Sequence, residues 1–362
     1  MLSSRPKGRC ATMRATTCLA VFTLVAGLTG RVIAEGDGPK GMLAELQPEA
    51  SESHLYSVRF GHEGKTIVTV LDKKIHVWDA STYKELRSFT MKQSEQRLAC
   101  APDGLTYAWN TGNEVALVGV EDGEPTKTLD TKPEFGSIAN LAYTPDGKTL
   151  VAVGGTSTHA VIWLMDPAAG THKLIKGPEI ADNFYALAVS HDGKTIACGM
   201  NRSPEIRLYD MESGKETKKL TNGEHLSKHV AFSPDDKMLA TCGFQEPVRV
   251  YNLETGKVAA KFEMNLAFCV EFSPKDGKLL AASDREQFAI FNIETKKPVV
   301  ICGRKGPAKE IKNDPSSGNG PEDGMCWSAD GAKLCWGCEL EEWAHVRVWD
   351  VATLTGAPEE KK

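Results

Sequence analysis

Beyond residue 28 the chain has no apolar run near the ~20 residues that a membrane-crossing helix needs, and aromatics make up only 7% of its 362 residues. Gly-x-Ser-x-Gly, a Walker-type phosphate loop and His-Glu-x-x-His are all missing, which removes the catalytic devices those motifs mark. Acidic residues are also lacking at the start, where none precedes Glu35. Arg5, Lys7, Arg9 and Arg14 there lead into the apolar run Cys18 to Leu28, followed by Val32-Ile33-Ala34. A basic segment, a short apolar segment and an A-x-A-like site make a secretory signal peptide over residues 1–34.

Export to the periplasm or the exterior is therefore expected, with an uncleaved anchor as the alternative. Met13 opens a better-proportioned leader and is a candidate start. Cys18 opens the apolar run instead of following it, which argues against a lipid-modified cysteine at the cleavage site. Cleavage would remove five basic residues from a chain with 43 basic and 48 acidic ones, leaving a more acidic protein. Such a surface suits neither nucleic acid nor anionic lipid. No integral span is expected after cleavage.

Eight cysteines would remain. An even number in an exported chain permits disulfides, yet most sit in strand-like runs such as Thr195-Ile196-Ala197-Cys198, so buried free thiols are the preferred expectation. Cys335-Trp336-Gly337-Cys338, near His345, is the best metal or redox candidate. In a strand, however, positions three apart face opposite ways and cannot share an ion. His225 and His229 have ligand spacing only on a helix and are expected to be solvated loop residues. Glu341 and Glu342 beside Trp343 could suit a sugar or a cation, but a solvated loop is the plainer reading. No metal and no cofactor is expected.

What the chain does contain is a repeat. One turn recurs seven times, as in Thr144-Pro145-Asp146-Gly147, Ser190-His191-Asp192-Gly193 and Ser233-Pro234-Asp235-Asp236, with last residues spaced by 40, 43, 46, 43, 41 and 54 positions. Pro presets φ, Asp bonds the turn backbone and Gly takes positive φ. Before each turn runs a short strand in which a small residue (Ala99, Ala142, Ala188, Ala231, Cys326) lies between larger ones, the mark of an innermost strand crowded around an axis. Arg59 and Glu271 break that rule. After each turn a second run is followed by a third that ends on an aromatic plus an acid or amide: Trp78-Asp79, Tyr209-Asp210, Tyr251-Asn252, Phe291-Asn292, Trp349-Asp350. A hydroxyl follows three residues later (Thr82, Ser213, Thr255, Thr295, Thr353), and the acid or amide is placed to accept backbone N–H groups so that a fourth strand returns.

On these residues, over about 42–352, the chain resembles the WD-repeat family, whose units are four-stranded propeller blades. The resemblance implies an all-β, seven-bladed β-propeller. The literal Trp-Asp pair appears only in blades 1 and 7, and the Gly-His dipeptide that many family members carry between blades is absent there, so the family's buried Asp-His-Ser-Trp network is not expected to be complete. Blade 7 lacks a convincing fourth strand in its polar tail (353–362). Met42-Leu43-Ala44-Glu45-Leu46, after a short linker at 35–41, is expected to supply it and close the ring in a 3+1 manner.

The resemblance further implies a non-enzymatic scaffold for a protein or peptide. The loops joining second and third strands gather on one face, which should show Asp72, Asn110, His159, Arg202, Phe244, Arg285 and Trp343. The long insertion 304–323 is expected to enter on that face as a lid or partner contact. The alternative is a lactonase-like or quinoprotein-like enzyme, or a sugar-binding propeller, using the central pocket. Oligomeric state is left open.

Overall fold

The computed structural model describes residues 31–33, 39–47, 54–72, 74–91, 98–110, 114–119, 123, 125–130, 137–156, 158–179, 182–221, 223–264, 266–275, 277–284, 286–303, 306–309, 311, 324–340 and 343–356. They form seven antiparallel sheets. In blades 1 to 6 the strands follow chain order from the axis outward; blade 4, for example, is Phe184–Val189, Thr195–Met200, Glu205–Asp210 and Glu216–Thr221. The first strands of successive blades touch in sequence all the way round, with Met325–Trp327 of blade 7 meeting Leu55–Gly61 of blade 1. The propeller is thus closed.

A core spread over seven seams explains how the chain escapes the size limit of a single core. Each hydrophobic cluster lies between two adjacent blades, such as Val151, Phe184 and Tyr209 between blades 3 and 4 or Val250, Phe262 and Phe291 between blades 5 and 6. Strand alternation sends neighbouring side chains to opposite seams. Cys335 packs toward blade 1 and Cys338 toward blade 6, so the two do face apart as strand geometry requires. None of the eight cysteines among the described residues is in a disulfide, and seven of them are buried.

The repeated turn is built as its chemistry demands, with one addition. In blade 4 the Ser190 hydroxyl donates to Asp192 at 2.7 Å and accepts the Thr195 N–H at 2.8 Å, while Asp192 accepts the Lys194 N–H at 2.9 Å. Thr144, Ser233 and Ser328 repeat the pattern. Gly193 takes φ 70°, and Asp236 stands in the equivalent place at φ 57°. Asp236 offsets that strain by accepting the His191 and Asp192 N–H groups of the preceding blade at 2.8 and 2.9 Å.

The second turn also follows expectation. Asp79, Asp210, Asn252 and Asn292 each accept the N–H three residues on, from Thr82, Ser213, Thr255 and Thr295. Four donors from Ser81 and Thr82, with the Ser81 hydroxyl foremost, hold the Asp79 carboxyl down at about 2. In blade 7 the same residues do something else: Asp350 accepts the Thr353 N–H at 2.7 Å and caps a short helix, Val351–Thr355, ending at Gly356. The chain turns into a helix there, where the sequence suggests only a polar tail, because the fourth-strand place is already filled.

Met42–Gln47 fills it, pairing Glu45 with Arg347 and Leu46 with Val346. Arg31–Ile33, three residues of the expected leader, add a fifth strand through Val32 and Leu46. Gly306–Pro307, inside the long insertion, adds a fifth strand to blade 6; residues 312–323 of that insertion lie outside the described residues.

Candidate functional site

Two places could hold a partner: the central channel and the loop face. The channel has a volume of about 620 Å³ and is walled midway by Ala142, Ala188 and Ala231 of the innermost strands. The two residues that break the small-residue rule meet across it. Arg59 of blade 1 and Glu271 of blade 6 lie 3.4 Å apart, and Arg59 Nη1 also donates to the Met325 carbonyl of blade 7 at 3.1 Å. Glu271 contributes its own carbonyl to Trp327 Nε1 at 3.2 Å. The pair therefore straps blades 6, 7 and 1 together at the closing seam. Among the described residues no group of three or more His, Cys, Asp or Glu side chains is placed to hold a metal.

On the loop face the expected patch divides. Asp72 (φ 45°) has its carboxylate 3.3 Å from His54 Nδ1. Asn110 donates to the Ile138 carbonyl at 2.9 Å, tying blade 2 to blade 3. His159 lies 3.2 Å from Glu179 and 2.9 Å from the Thr158 hydroxyl. These three are engaged within the fold. Arg202 is exposed and Phe244 half-buried. Arg285, Glu341 and Glu342 lie outside the described residues, and Trp343 is placed only as the first residue of strand Trp343–Asp350.

What sequence reasoning missed is how blades 4 and 5 hold their loops. Buried Asp182, in the link into blade 4, accepts the Arg202 N–H at 3.0 Å. Buried Glu246 of blade 5 accepts the Glu224 and His225 N–H groups at 2.6 and 3.0 Å and pairs with Arg249 at 2.7 Å. Burial pushes the Glu246 carboxyl up, but these donors outweigh it and the net displacement is downward. Gly223 is required beside it, since a Cβ there would lie 2.4 Å from Glu246 Oε2.

Between these loops Lys228 Nζ sits 4.8 Å from the centre of the Tyr185 ring, and the Tyr185 carbonyl accepts from Asn140. The run Phe184-Tyr185 at the start of a first strand was the available signal for this pair. His229 corrects a sequence expectation: it is buried within strand His229–Phe232, not solvated, whereas His225 is exposed beside Glu246, as a solvated loop residue would be.

Blade 1 retains two limbs of the network set aside on sequence grounds, the His54–Asp72 contact and a bond from Trp78 Nε1 to the Thr69 hydroxyl at 3.1 Å. The family model described as WD domain, G-beta repeat matches residues 45–79, which are the end of the closing strand and the first three strands of this blade. A second model, described as Eukaryotic translation initiation factor eIF2A, matches residues 181–293 across blades 4 to 6.

Among curated proteins the chain is similar to Coronin-7 of Homo sapiens, 24% identical over 195 residues, covering 52% of this chain and 21% of that protein. It is similar to Apoptotic protease-activating factor 1 of Rattus norvegicus, 30% identical over 246 residues, covering 65% of this chain and 18% of that protein. The chain thus spans about a fifth of the length of these relatives. Among solved structures, the β-propeller domain of Myceliophteria thermophila Cps50 (Swd1) superposes with a TM-score of 0.66 at 14% identity, covering 86% of this chain and 100% of that one, a likeness of fold. With seven blades built on the repeated turn and aromatic-acid pairs, and with that repeat model falling on blade 1, the chain is a seven-bladed β-propeller of WD-type repeats.

Proposed function

We propose that this protein is a non-enzymatic docking scaffold that acts outside the cytoplasm and receives a protein or peptide on the loop face of blades 4 and 5. WD-repeat propellers typically serve as protein-interaction scaffolds, which supplies the class of partner. The observation that carries the choice of face is the anchoring of its loops by buried Asp182 and Glu246. A fixed backbone presents exposed Arg202, half-buried Phe244 and the Tyr185–Lys228 pair, and recognition surfaces use such preorganised aromatic and cationic groups. Two cations beside two aromatics on an acidic protein suit a segment carrying acidic and apolar side chains. The leader-like residues 1–34 support an exported location.

The test is affinity capture from the exported fraction of the source cells with wild type and with the Tyr185→Ala/Arg202→Glu/Phe244→Ala variant. Loss of a specific partner from the variant, at unchanged circular dichroism, is the expected result. Identical captures would sink the assignment of the face.

A further inference from the structure

Open strand edges template pairing with other chains, and proteins guard them with cations, prolines or short length. The outermost of the four strands carries such a guard in each of blades 1 to 6: Arg87, Lys127, Lys173, Lys218, Lys257 and Pro298. Met42–Gln47 of blade 7 has no Lys, Arg or Pro. Its one charge, Glu45, is turned inward to Arg347 at 2.8 Å and His345 at 2.9 Å. Its burial is that of an inner strand, with Met42, Ala44, Glu45 and Leu46 all buried, whereas Glu85–Thr90 alternates between half-buried and exposed.

An outer strand of this character requires cover, and two elements give it. At its start, Leu354 of the C-terminal helix packs against Gly41. At its end, Arg31–Ile33 pairs antiparallel, Arg31 with Gln47 and Ile33 with Glu45.

We propose that the outer edge of Glu45–Gln47 is a strand-addition site, filled in cis by Arg31–Ile33 in the full chain and taken by an extended, apolar segment of another polypeptide once the leader is removed at Ala34. The inference rests on the leader reading given above. The occupant is extended polypeptide because the bonds on offer are main-chain N–H and C=O groups, which give affinity without demanding a particular sequence. The cis segment demonstrates that an antiparallel strand fits. Removal of the leader then opens the edge only in the processed protein, so the precursor is self-occupied.

The test uses two chains made directly, one beginning at Gly30 and one at Glu35, titrated with a fluorescent peptide of residues 29–37. Saturable binding to the shorter chain is expected, about tenfold weaker to the longer one because its own strand competes. The peptide carrying Val32→Pro and Ile33→Pro should not bind. Amides of residues 45–47 should exchange faster in the shorter chain and slow again with peptide. Equal affinity for both chains, or equal binding of the proline peptide, would overturn the proposal. Dimerisation of the shorter chain through residues 42–47 without peptide uptake would assign the edge to a second copy and overturn it likewise. Intact mass of the exported protein reads leader removal separately. A mass retaining residues 31–34 defeats the leader reading, whereas a failed titration with correct cleavage defeats the edge alone.

Discussion

Blade 4 is one continuous stretch of chain, and blade 7 is assembled from both ends of it; the two share a four-strand plan and differ in what secures the outer strand. In blade 4 the third-strand cation Arg207 pairs with Glu216 of the fourth strand, nine residues away, and with Glu205, with side-chain exposures of 15%, 35% and 24%. In blade 7 Arg347 holds the corresponding place, three residues before the acid that ends the strand, and pairs with Glu45 from 302 residues away, at exposures of 9% and 6%. A short hairpin keeps the blade 4 strand close whatever its side chains do. The closing strand has no such tether on that side, and its ion pair is correspondingly buried. Closure thus adds a buried side-chain tie to the strand ladder where blade 4 has a more solvated one.

The largest expected effect follows from breaking that pair. Arg347→Met leaves Glu45 buried without its main partner and should cost about 3–5 kcal/mol in denaturant unfolding, against about 1 kcal/mol or less for Arg207→Met in the more solvated cluster. Equal losses would remove the distinction between the blades.

A smaller effect sharpens the comparison through pH. Burial pushes the Glu45 carboxyl up, but hydrogen bonds from His345, Gln47 and Arg347 outweigh it and hold it at about 2, below its ordinary 4.5. A carboxylate with a depressed folded-state pKa contributes stability above its unfolded value and loses it as pH falls toward the folded one. The stability gap between wild type and Glu45→Gln should therefore be full above pH 4.5 and close toward pH 2. A gap independent of pH over that window would show that Glu45 carries no charge-dependent role.

The smallest effect concerns a seam between consecutive blades. Asp236→Gly relieves a left-handed backbone at φ 57° but gives up the bonds to the His191 and Asp192 N–H groups. The two changes oppose each other, so melting should move by no more than about 1 kcal/mol equivalent in either direction. A loss as large as that of Arg347→Met would mean that all seams depend on side-chain ties alike.

These contrasts also explain what could be read in the sequence. The turns were legible because Ser190, Asp192 and Gly193 act within six residues, and Asp79 and Thr82 within four. The spare strand at Met42 was legible as a count, seven third strands against six fourth strands. Its anchor was not, since nothing local to Glu45 names Arg347. Of the residues expected on the loop face, Asp72, Asn110 and His159 are engaged by His54, the Ile138 carbonyl and Glu179, partners that no local pattern names. One recurring device was available and overlooked: Lys127, Lys173 and Lys218 on successive fourth strands each donate to a carbonyl in the third-to-fourth-strand turn of the next blade, at Ala168, Glu212 and Leu253. Their spacing follows the repeat, so the blade-to-blade tie was written in the period itself.

Closure by the N-terminal strand is tested most directly by a double-mutant cycle on Glu45→Gln and Arg347→Met, read by equilibrium unfolding. A coupling energy of about 1–3 kcal/mol is expected for residues in contact, and additivity within about 0.5 kcal/mol would contradict the pairing of the two ends of the chain.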